Sequence, residues 1–200
     1  MVRLAILALV LVAGCTGPAA APTPEETAAE TVTPPVATPV GVGNLRSRPL
    51  VIPTLAAGST CPVTTFIQRP DPDLGPILGD GPAGPVGLLP GGRLRFKGPD
   101  EHTGWVDTAW GGQKVLWAVD PRLGTPVLVR GRQLDGSHQV RFNDPASPEL
   151  ILAPEDSAGL GWRDYPGHTR LQAPGCYAFQ VDSSSGRTVI VFTAEEPVVD

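Results

Sequence analysis

The chain has 200 residues, 41% of them hydrophobic, and a formal net charge of −5 at pH 7. Glycine and proline number 24 each, which approaches low-complexity sequence, but the hydrophobic fraction is too high for a wholly disordered protein. The acidic balance gives no support for nucleic-acid binding, so no nucleic acid is expected as a partner. One folded domain with many turns, joined to a disordered segment, accounts for this composition.

The N-terminus has the order of features found in exported bacterial proteins. Arg3 precedes an apolar run at 4–13, which is too short to cross a hydrocarbon core of about 30 Å as a helix. The run ends in the sequence VAGC, which resembles a bacterial lipobox. The resemblance implies a signal peptide at 1–14 and diacylated, palmitate-bearing Cys15 as the mature N-terminus, anchored on the extracytoplasmic face of the cell membrane. An ordinary signal peptide with an incidental cysteine is the alternative.

A Pro/Thr/Ala-rich segment follows Cys15. It has no aromatic residue and no sustained apolar period, so it cannot bury enough surface to offset the entropy lost on ordering. As a flexible coil it reaches roughly 30 Å, enough to hold a domain away from a membrane. The sequence predicts a disordered tether at 15–45, a folded domain at 46–196 and a flexible tail at 197–200. Whether the tether threonines carry sugars stays open.

Two cysteines remain once Cys15 is assigned to lipid. Because exported proteins fold in oxidising surroundings, Cys61 and Cys176 are predicted to form a disulfide that closes a loop of more than 100 residues. Two free buried thiols and a cysteine-based metal site are the alternatives. A zinc site needs more ligands at close spacing than this sequence provides.

Short β-type runs separated by Gly, Pro and Asp turns extend along the second half of the chain, without a sustained helical period. This spacing predicts an all-β fold, as an antiparallel β-sandwich or a barrel. The predicted strands are 93–97, 114–120, 126–133, 139–142, 149–152, 162–165, 176–182 and 187–193.

The strand at 176–182 has two distinct faces, because successive side chains of a strand alternate. Tyr177, Phe179 and Val181 share the face predicted to enter the core. Cys176 lies on the other face, at the start of the strand. An N-terminal segment is therefore expected to be pinned across that outer face by the disulfide.

The strand at 126–133 is predicted to carry a solvated basic stripe. Arg130 and Arg132 share its outward face, and Gly131 is a candidate bulge. Together with Arg141, these arginines are also candidate contacts for anionic envelope polymers. A solvated outer face without a ligand is the simpler interpretation.

The run TRLQAPGCYAFQVD, at 169–182, resembles the E–F corner and F strand of immunoglobulin-like sandwiches. The resemblance implies an immunoglobulin-like β-sandwich in which the hydroxyl of Tyr177 binds back to nearby backbone. Over about residues 60–195 the domain is similar to a family of bacterial secreted proteins and lipoproteins. Trp117 lies too far after Cys61 for an antibody domain, and Cys176 precedes the tyrosine. The disulfide is therefore not expected to be the central pin between the sheets.

No catalytic or cofactor motif stands out, and no enzyme activity, cofactor or resident metal is predicted. His102, His138 and His168 are far apart and lack partners at metal-ligand spacing. The Pro-Asp repeat at Asp71 and Asp73 lacks the ligand spacing of a calcium loop. The Gly-x-Ser-x-Gly elbow of α/β-hydrolases is also missing from the sequence.

The most suggestive segment is GWVDTAWGG, at 104–112. Trp105 and Trp110 are bracketed by glycines in a connection, which makes them candidate contacts for a sugar or a peptide; core packing is the alternative. The sequence as a whole predicts a membrane-anchored, non-catalytic binding or structural module of the cell envelope, with an envelope polymer or a protein as partner. An envelope hydrolase and a carrier of metal or small ligands are the alternative functions.

Overall fold

The computed structural model describes residues 40–56, 58–68, 73–98, 108–156 and 161–196. The predicted signal peptide, Cys15, most of the predicted tether and the predicted tail lie outside these residues, as do His102 and Trp105. Within the described part of the chain, no helix is long and apolar enough to cross a membrane.

One short α-helix, two 3-10 helices (Pro121–Leu123 and Pro154–Asp156) and eleven strands form the regular structure of the described residues. The helix α1 spans Val42–Arg46, so the last residues of the predicted tether, 42–45, are helical. The strands are β1 (Phe66–Ile67), β2 (Ile77–Leu78), β3 (Ala83–Val86), β4 (Arg93–Arg95), β5 (Gly111–Val119), β6 (Val127–Gln133), β7 (Arg141–Phe142), β8 (Leu150–Leu152), β9 (Arg163–Leu171), β10 (Gly175–Ser183) and β11 (Gly186–Glu195).

The strands form two sheets that pack face to face, which confirms the predicted all-β sandwich. The first sheet has the order β1-β2-β3-β5-β9-β7, and the second has the order β4-β11-β10-β6-β8. Neighbouring strands are antiparallel except β4 and β11, which are parallel. Sequential strands such as β10 and β11 pair through a hairpin. Strands β5 and β9 also pair, although β6, β7 and β8 lie between them in the chain and β6 and β8 belong to the other sheet.

Each predicted strand overlaps an observed one, and the largest difference in length is in β9. The sequence predicts that this strand ends at residue 165, because the residues at 165–168 are typical of a turn. In the structure β9 continues to Leu171, with Pro166 paired to Leu116 of β5. The other neighbour of β9 is β7, which pairs only with Thr169 and Arg170. On the β7 side of β9, no described strand pairs with residue 166. Proline is tolerated at this position because no backbone amide is needed there as a donor.

An aromatic cluster centred on Phe179 fills the space between the sheets. Phe179 of β10 stacks on Phe192 of β11 at 4.4 Å and meets Trp117 of β5 edge to face at 5.1 Å. Tyr177 and Val181 join the same core, which confirms the face predicted for the strand at 176–182. Offset and edge-to-face ring pairs add to the free energy gained from burial, so this cluster joins the two sheets.

The outer face of the second sheet is covered by the N-terminal part of the domain. We call residues 48–56 and 58–64 the strap. Val51 donates its amide to Oε1 of Gln180 on β10 at 2.6 Å. Arg132 of β6 donates from Nη2 to the carbonyl of Ile52 at 3.0 Å. Polar side chains on the outer face of the sheet therefore bind the backbone of the strap.

A disulfide holds the far end of the strap. Cys61 and Cys176 are bonded across 115 positions of sequence, as predicted. Next to the bond, the Thr64 amide donates to the Val191 carbonyl at 3.0 Å, and the Val191 amide donates to the Thr64 hydroxyl at 2.9 Å. A loop of this length stabilises the fold by up to about 4–5 kcal/mol on the chain-entropy model.

A buried carboxylate lies at the near end of the strap. Asp182 of β10 is fully buried and accepts hydrogen bonds from Arg130 at 2.8 Å and from Gln180 at 2.7 Å. Arg187 of β11 approaches it at 3.4 Å, and Arg48 of the strap at 3.8 Å. Burying a charge is costly unless it is paired and hydrogen-bonded, and these four side chains provide that compensation.

The prediction of a solvated basic stripe on the strand at 126–133 is therefore wrong. Leu128 is fully buried, and the side chain of Arg130 is only 15% exposed. Arg130 also donates to the carbonyl of Arg48, and Arg132 is bound to the strap. An alternating pattern shows which side chains share a face, but it does not show that another segment covers the face.

Gly131 is a close-approach position, and the predicted bulge is absent. It pairs with Phe179 in an uninterrupted register between β6 and β10. A Cβ atom on Gly131 would lie 2.7 Å from the carbonyl oxygen of Ala178 and 3.0 Å from the side chain of Val140. Glycine is needed here because the backbone packs too closely for a side chain.

The hydrogen bond that the resemblance implies for Tyr177 is present. The buried hydroxyl donates to the carbonyl of Ala173, four residues earlier, at 2.7 Å. Burial raises the pKa of Tyr177 to about 12, well above its ordinary value of 10.0. Between pH 10 and about 12, the folded protein therefore keeps the Tyr177 phenol protonated, whereas an exposed tyrosine would ionise.

Tyr177→Phe is expected to lower the free energy of unfolding by about 1–3 kcal/mol at neutral pH, because the Ala173 carbonyl loses its donor. The parent should also lose stability as the pH rises from 10 to about 12, since the unfolded state ionises first. The variant should lack that part of the loss. Urea unfolding followed by tryptophan fluorescence at both pH values measures this. Burial also raises the pKa of Tyr165, so parent and variant are compared in a Tyr165→Phe background. An alkaline loss in Tyr177→Phe as large as in the parent would contradict the burial account.

Candidate functional site

Trp110 is the predicted ligand contact that the structure describes. It lies directly before β5 and is half-buried, outside the core between the sheets. Thr108 fixes the local turn, because its hydroxyl accepts from the Trp110 amide at 3.2 Å and lies 3.1 Å from the Trp110 carbonyl. The indole therefore occupies a defined position at one end of the sandwich, where connections between strands gather.

Arg170 of β9 holds this end of the sandwich together. Its side chain is buried and donates to the carbonyls of Trp110, Gly111 and Asn143, each at 3.1 Å. Burial lowers the pKa of the Arg170 guanidinium from its usual value, while the carboxylate of Asp144 acts in the opposite direction. One cation thereby joins the connection before β5 to the turn after β7.

The structure brings Trp110 together with Arg141, another of the predicted contacts. The Cζ atom of Arg141 lies 5.7 Å from the centroid of the indole ring. Nη2 of the same guanidinium donates to Oε1 of Gln139 at 2.8 Å. We call these three residues the indole platform. An aromatic ring beside a cation is suited to stacking on a sugar or peptide and to contact with an anionic group.

The other sequence candidates do not converge on one site. His138 lies 3.3 Å from Oε1 of Gln172 through Nδ1, and the amide of His168 donates to Oδ1 of Asn143 at 3.0 Å. In the described ranges, no group of three or more His, Cys, Asp or Glu residues is placed to hold a metal ion. Asp71, in the Pro-Asp repeat, lies outside the described residues.

A second feature, a groove of about 340 Å³, escaped sequence reasoning. It opens between β3 and β5 of the first sheet and β4 of the second. Its polar lining is cationic and consists of Arg93, Arg95, Lys97 and Lys114, with Gln113 beside them. The only sequence signal was the rarity of lysine, since Lys97 and Lys114 are the two lysines of the chain.

Comparison with known proteins identifies no family. No protein-family model matches the chain, and no curated protein sequence matches it. One solved structure is similar, that of a "putative lipoprotein" from Bacillus anthracis, with 9% identity and a TM-score of 0.44 over 69% of this chain and 88% of that chain. A likeness this distant carries neither a fold assignment nor a function for this chain.

The indole platform predicts a contrast between two tryptophans. Trp110→Ala should lower the free energy of unfolding by about 1 kcal/mol, because it removes a partly exposed ring and one cation–π contact. Trp117→Ala should cost about 3–5 kcal/mol, because Trp117 is 1% exposed within the core. Thermal and denaturant unfolding measure both variants. If the two substitutions cost the same, Trp110 is a core residue and no recognition surface exists there.

Proposed function

We propose that this protein is a lipid-anchored, extracytoplasmic module of a bacterial cell envelope that binds a partner and catalyses no reaction. The observation that carries the proposal is the apolar run that ends in VAGC at Cys15. Cys61 and Cys176 are joined to each other, so Cys15 is the remaining cysteine of the three. A structural disulfide of this kind is characteristic of oxidising compartments outside the cytoplasm, which supports the same location.

The way the chain enters the sandwich suits attachment by a tether. Any pull transmitted along the chain from Cys15 reaches α1 and the strap before it reaches the core. The strap is held at one end by the Asp182 cluster and at the other by the disulfide. The covalent bond at the far end of the strap ties it to β10, so such a load passes into the sheet and not along the chain into β1, which favours an anchored role.

The surface features of the domain support recognition. The indole platform offers ring stacking beside a cation, and the groove offers positive charge. Both chemistries bind a partner without forming or breaking bonds. A sugar-containing polymer or a protein segment of the envelope is the partner proposed for the platform, through Trp110 and, from the sequence, Trp105.

We also propose that the sandwich is immunoglobulin-like. Strands β3, β5 and β9 follow the order A-B-E, and β11, β10 and β6 follow the order G-F-C. The edge strands depart from that fold, because β7 beside β9 precedes β8 beside β6 in the chain, whereas strand C′ precedes strand D in an immunoglobulin domain. The hydrogen bond of Tyr177 supports a tyrosine corner before strand F. In antibody domains the second core cysteine stands two residues after that tyrosine. Here the position is Phe179, and its contact with Trp117 takes the place of the inter-sheet disulfide.

The proposed lipid anchor is tested by following acylation of Cys15. Cells that express the chain are grown with a clickable palmitate analogue, and the N-terminal peptide of the mature protein is analysed by mass spectrometry. The parent should incorporate the label and yield a peptide that begins at acylated Cys15. Cys15→Ser should incorporate none, and the matched control Thr16→Ser should behave as the parent. An unlabelled parent with a mature N-terminus at another residue would disprove the anchor.

A further inference from the structure

The charge of the groove contrasts with that of the whole chain. Arg93, Arg95, Lys97 and Lys114 contribute four cations to its lining, whereas the chain has a formal net charge of −5. Like charges gathered on one surface repel each other unless an anion lies between them. A cationic groove on an acidic protein therefore attracts an anion more strongly than the rest of the surface does.

Among the described residues, only some of the positive charges of the groove are paired with a carboxylate. Arg93 and Arg95 share one carboxylate, that of Glu195 on β11, at 3.2 and 3.3 Å. Lys97 and Lys114 form no ion pair with any described residue, and both side chains are exposed. Two ammonium groups are thus available to a ligand, while the two guanidinium groups are already held in place.

The backbone fixes the two lysines on adjoining segments. The amide of Lys97 donates to the carbonyl of Gly112 at 3.1 Å, and the amide of Gly112 donates back to the carbonyl of Lys97 at 2.8 Å. Lys114 lies two residues further along β5. Each ammonium sits on a flexible side chain anchored to paired backbone, so both can converge on one anion at little cost in backbone order.

An apolar hollow adjoins the groove. A second hollow of about 230 Å³ shares Gly87 and Leu88 with the cationic groove and is otherwise lined by Phe66, Gln68, Pro76 and Pro90. Phe66 and Leu88 pack against the core of the sandwich, so this lining is anchored. Together the two compartments are in the size range of small-molecule sites, about 300–1,000 Å³.

We propose that the cationic groove and the adjoining hollow together bind a phosphorylated amphiphile, which is a phosphate monoester that carries an aliphatic chain. The phosphate lies between Lys97 and Lys114, and the chain lies over Leu88 towards Phe66. A phosphate monoester carries a charge of about −1.5 to −2 at pH 7. This charge balances the two unpaired ammonium groups better than the single negative charge of a carboxylate ligand would. The site is separate from the indole platform and does not depend on acylation of Cys15, so it can fail while the anchor stands.

Calorimetric titration of the full chain at low ionic strength with hexyl phosphate, inorganic phosphate and hexanol tests the site. Hexyl phosphate should bind more tightly than either of the other two, because only it fills both compartments. Lys97→Gln combined with Lys114→Gln should weaken hexyl phosphate binding by about tenfold or more. Leu88→Ala should weaken hexyl phosphate but leave inorganic phosphate unchanged. The matched control Arg122→Gln removes a cation that is 87% exposed elsewhere and should change nothing.

A second measurement uses the unmutated chain. With only two lysines, amine acylation followed by peptide mass spectrometry reports on the groove directly. Hexyl phosphate should slow the reaction of both Lys97 and Lys114, and hexanol should not. Equal binding of hexyl phosphate and hexanol would overturn the proposal, as would unchanged affinity in the double lysine variant or unprotected lysines at saturating hexyl phosphate.

Discussion

Asp182 is a charged group inside a domain whose other core residues are mostly apolar. Its carboxylate is fully buried, and Arg130, Arg187 and Arg48 approach it from β6, β11 and the strap. A buried ion that loses a partner typically costs about 3–5 kcal/mol, so the three segments are constrained to remain together. The strap cannot leave the sheet without exposing this cluster on one side and straining the disulfide on the other. The position of the strap therefore follows from one carboxylate and one covalent bond.

That constraint decides which surfaces of the domain are free for recognition. The inner face of the second sheet packs on the first sheet, and the strap covers its outer face at Gln180 and Arg132. A partner therefore has no access to either face of the second sheet. Both candidate sites lie elsewhere: Arg170 organises one end of the sandwich around the indole platform, and the cationic groove opens beside β4. Both features lie where irregular backbone meets the sheets, as binding sites on rigid scaffolds commonly do.

The sequence predicted the long strands well because their alternation reflects burial on each face. Tyr177 and Phe179 point into the core as expected, and the disulfide follows from counting cysteines in an exported chain. The polar residues on the outer face were misinterpreted, because Arg130 has the same pattern whether water or a strap covers it. The short strands β1 to β3 lie among prolines and glycines and gain their order from pairing, which local propensity does not encode.

The two candidate sites also differ in how far the sequence reveals them. The indole platform contains a residue that composition alone made conspicuous, since the chain has only 4 tryptophans. The groove is assembled from β4, from the residues after β3 and from the start of β5, which belong to different sheets. No local motif marks it, because its charge becomes concentrated only when the strands are paired. Sites of this kind depend on tertiary contacts, so the order of residues along one chain does not reveal them.

Residue-resolved amide hydrogen exchange on the intact, oxidised protein tests most directly whether the strap is an integral layer of the fold. The amides of Val51, Leu55 and Thr64 all donate to acceptors on or next to the second sheet. They should be protected to the same extent as amides of β10, while the exposed turn residue Ser184 exchanges fast. Exchange of the three strap amides at the rate of Ser184 would show that the strap is detached in solution. The outer face of the second sheet would then be accessible to a partner, which contradicts the account.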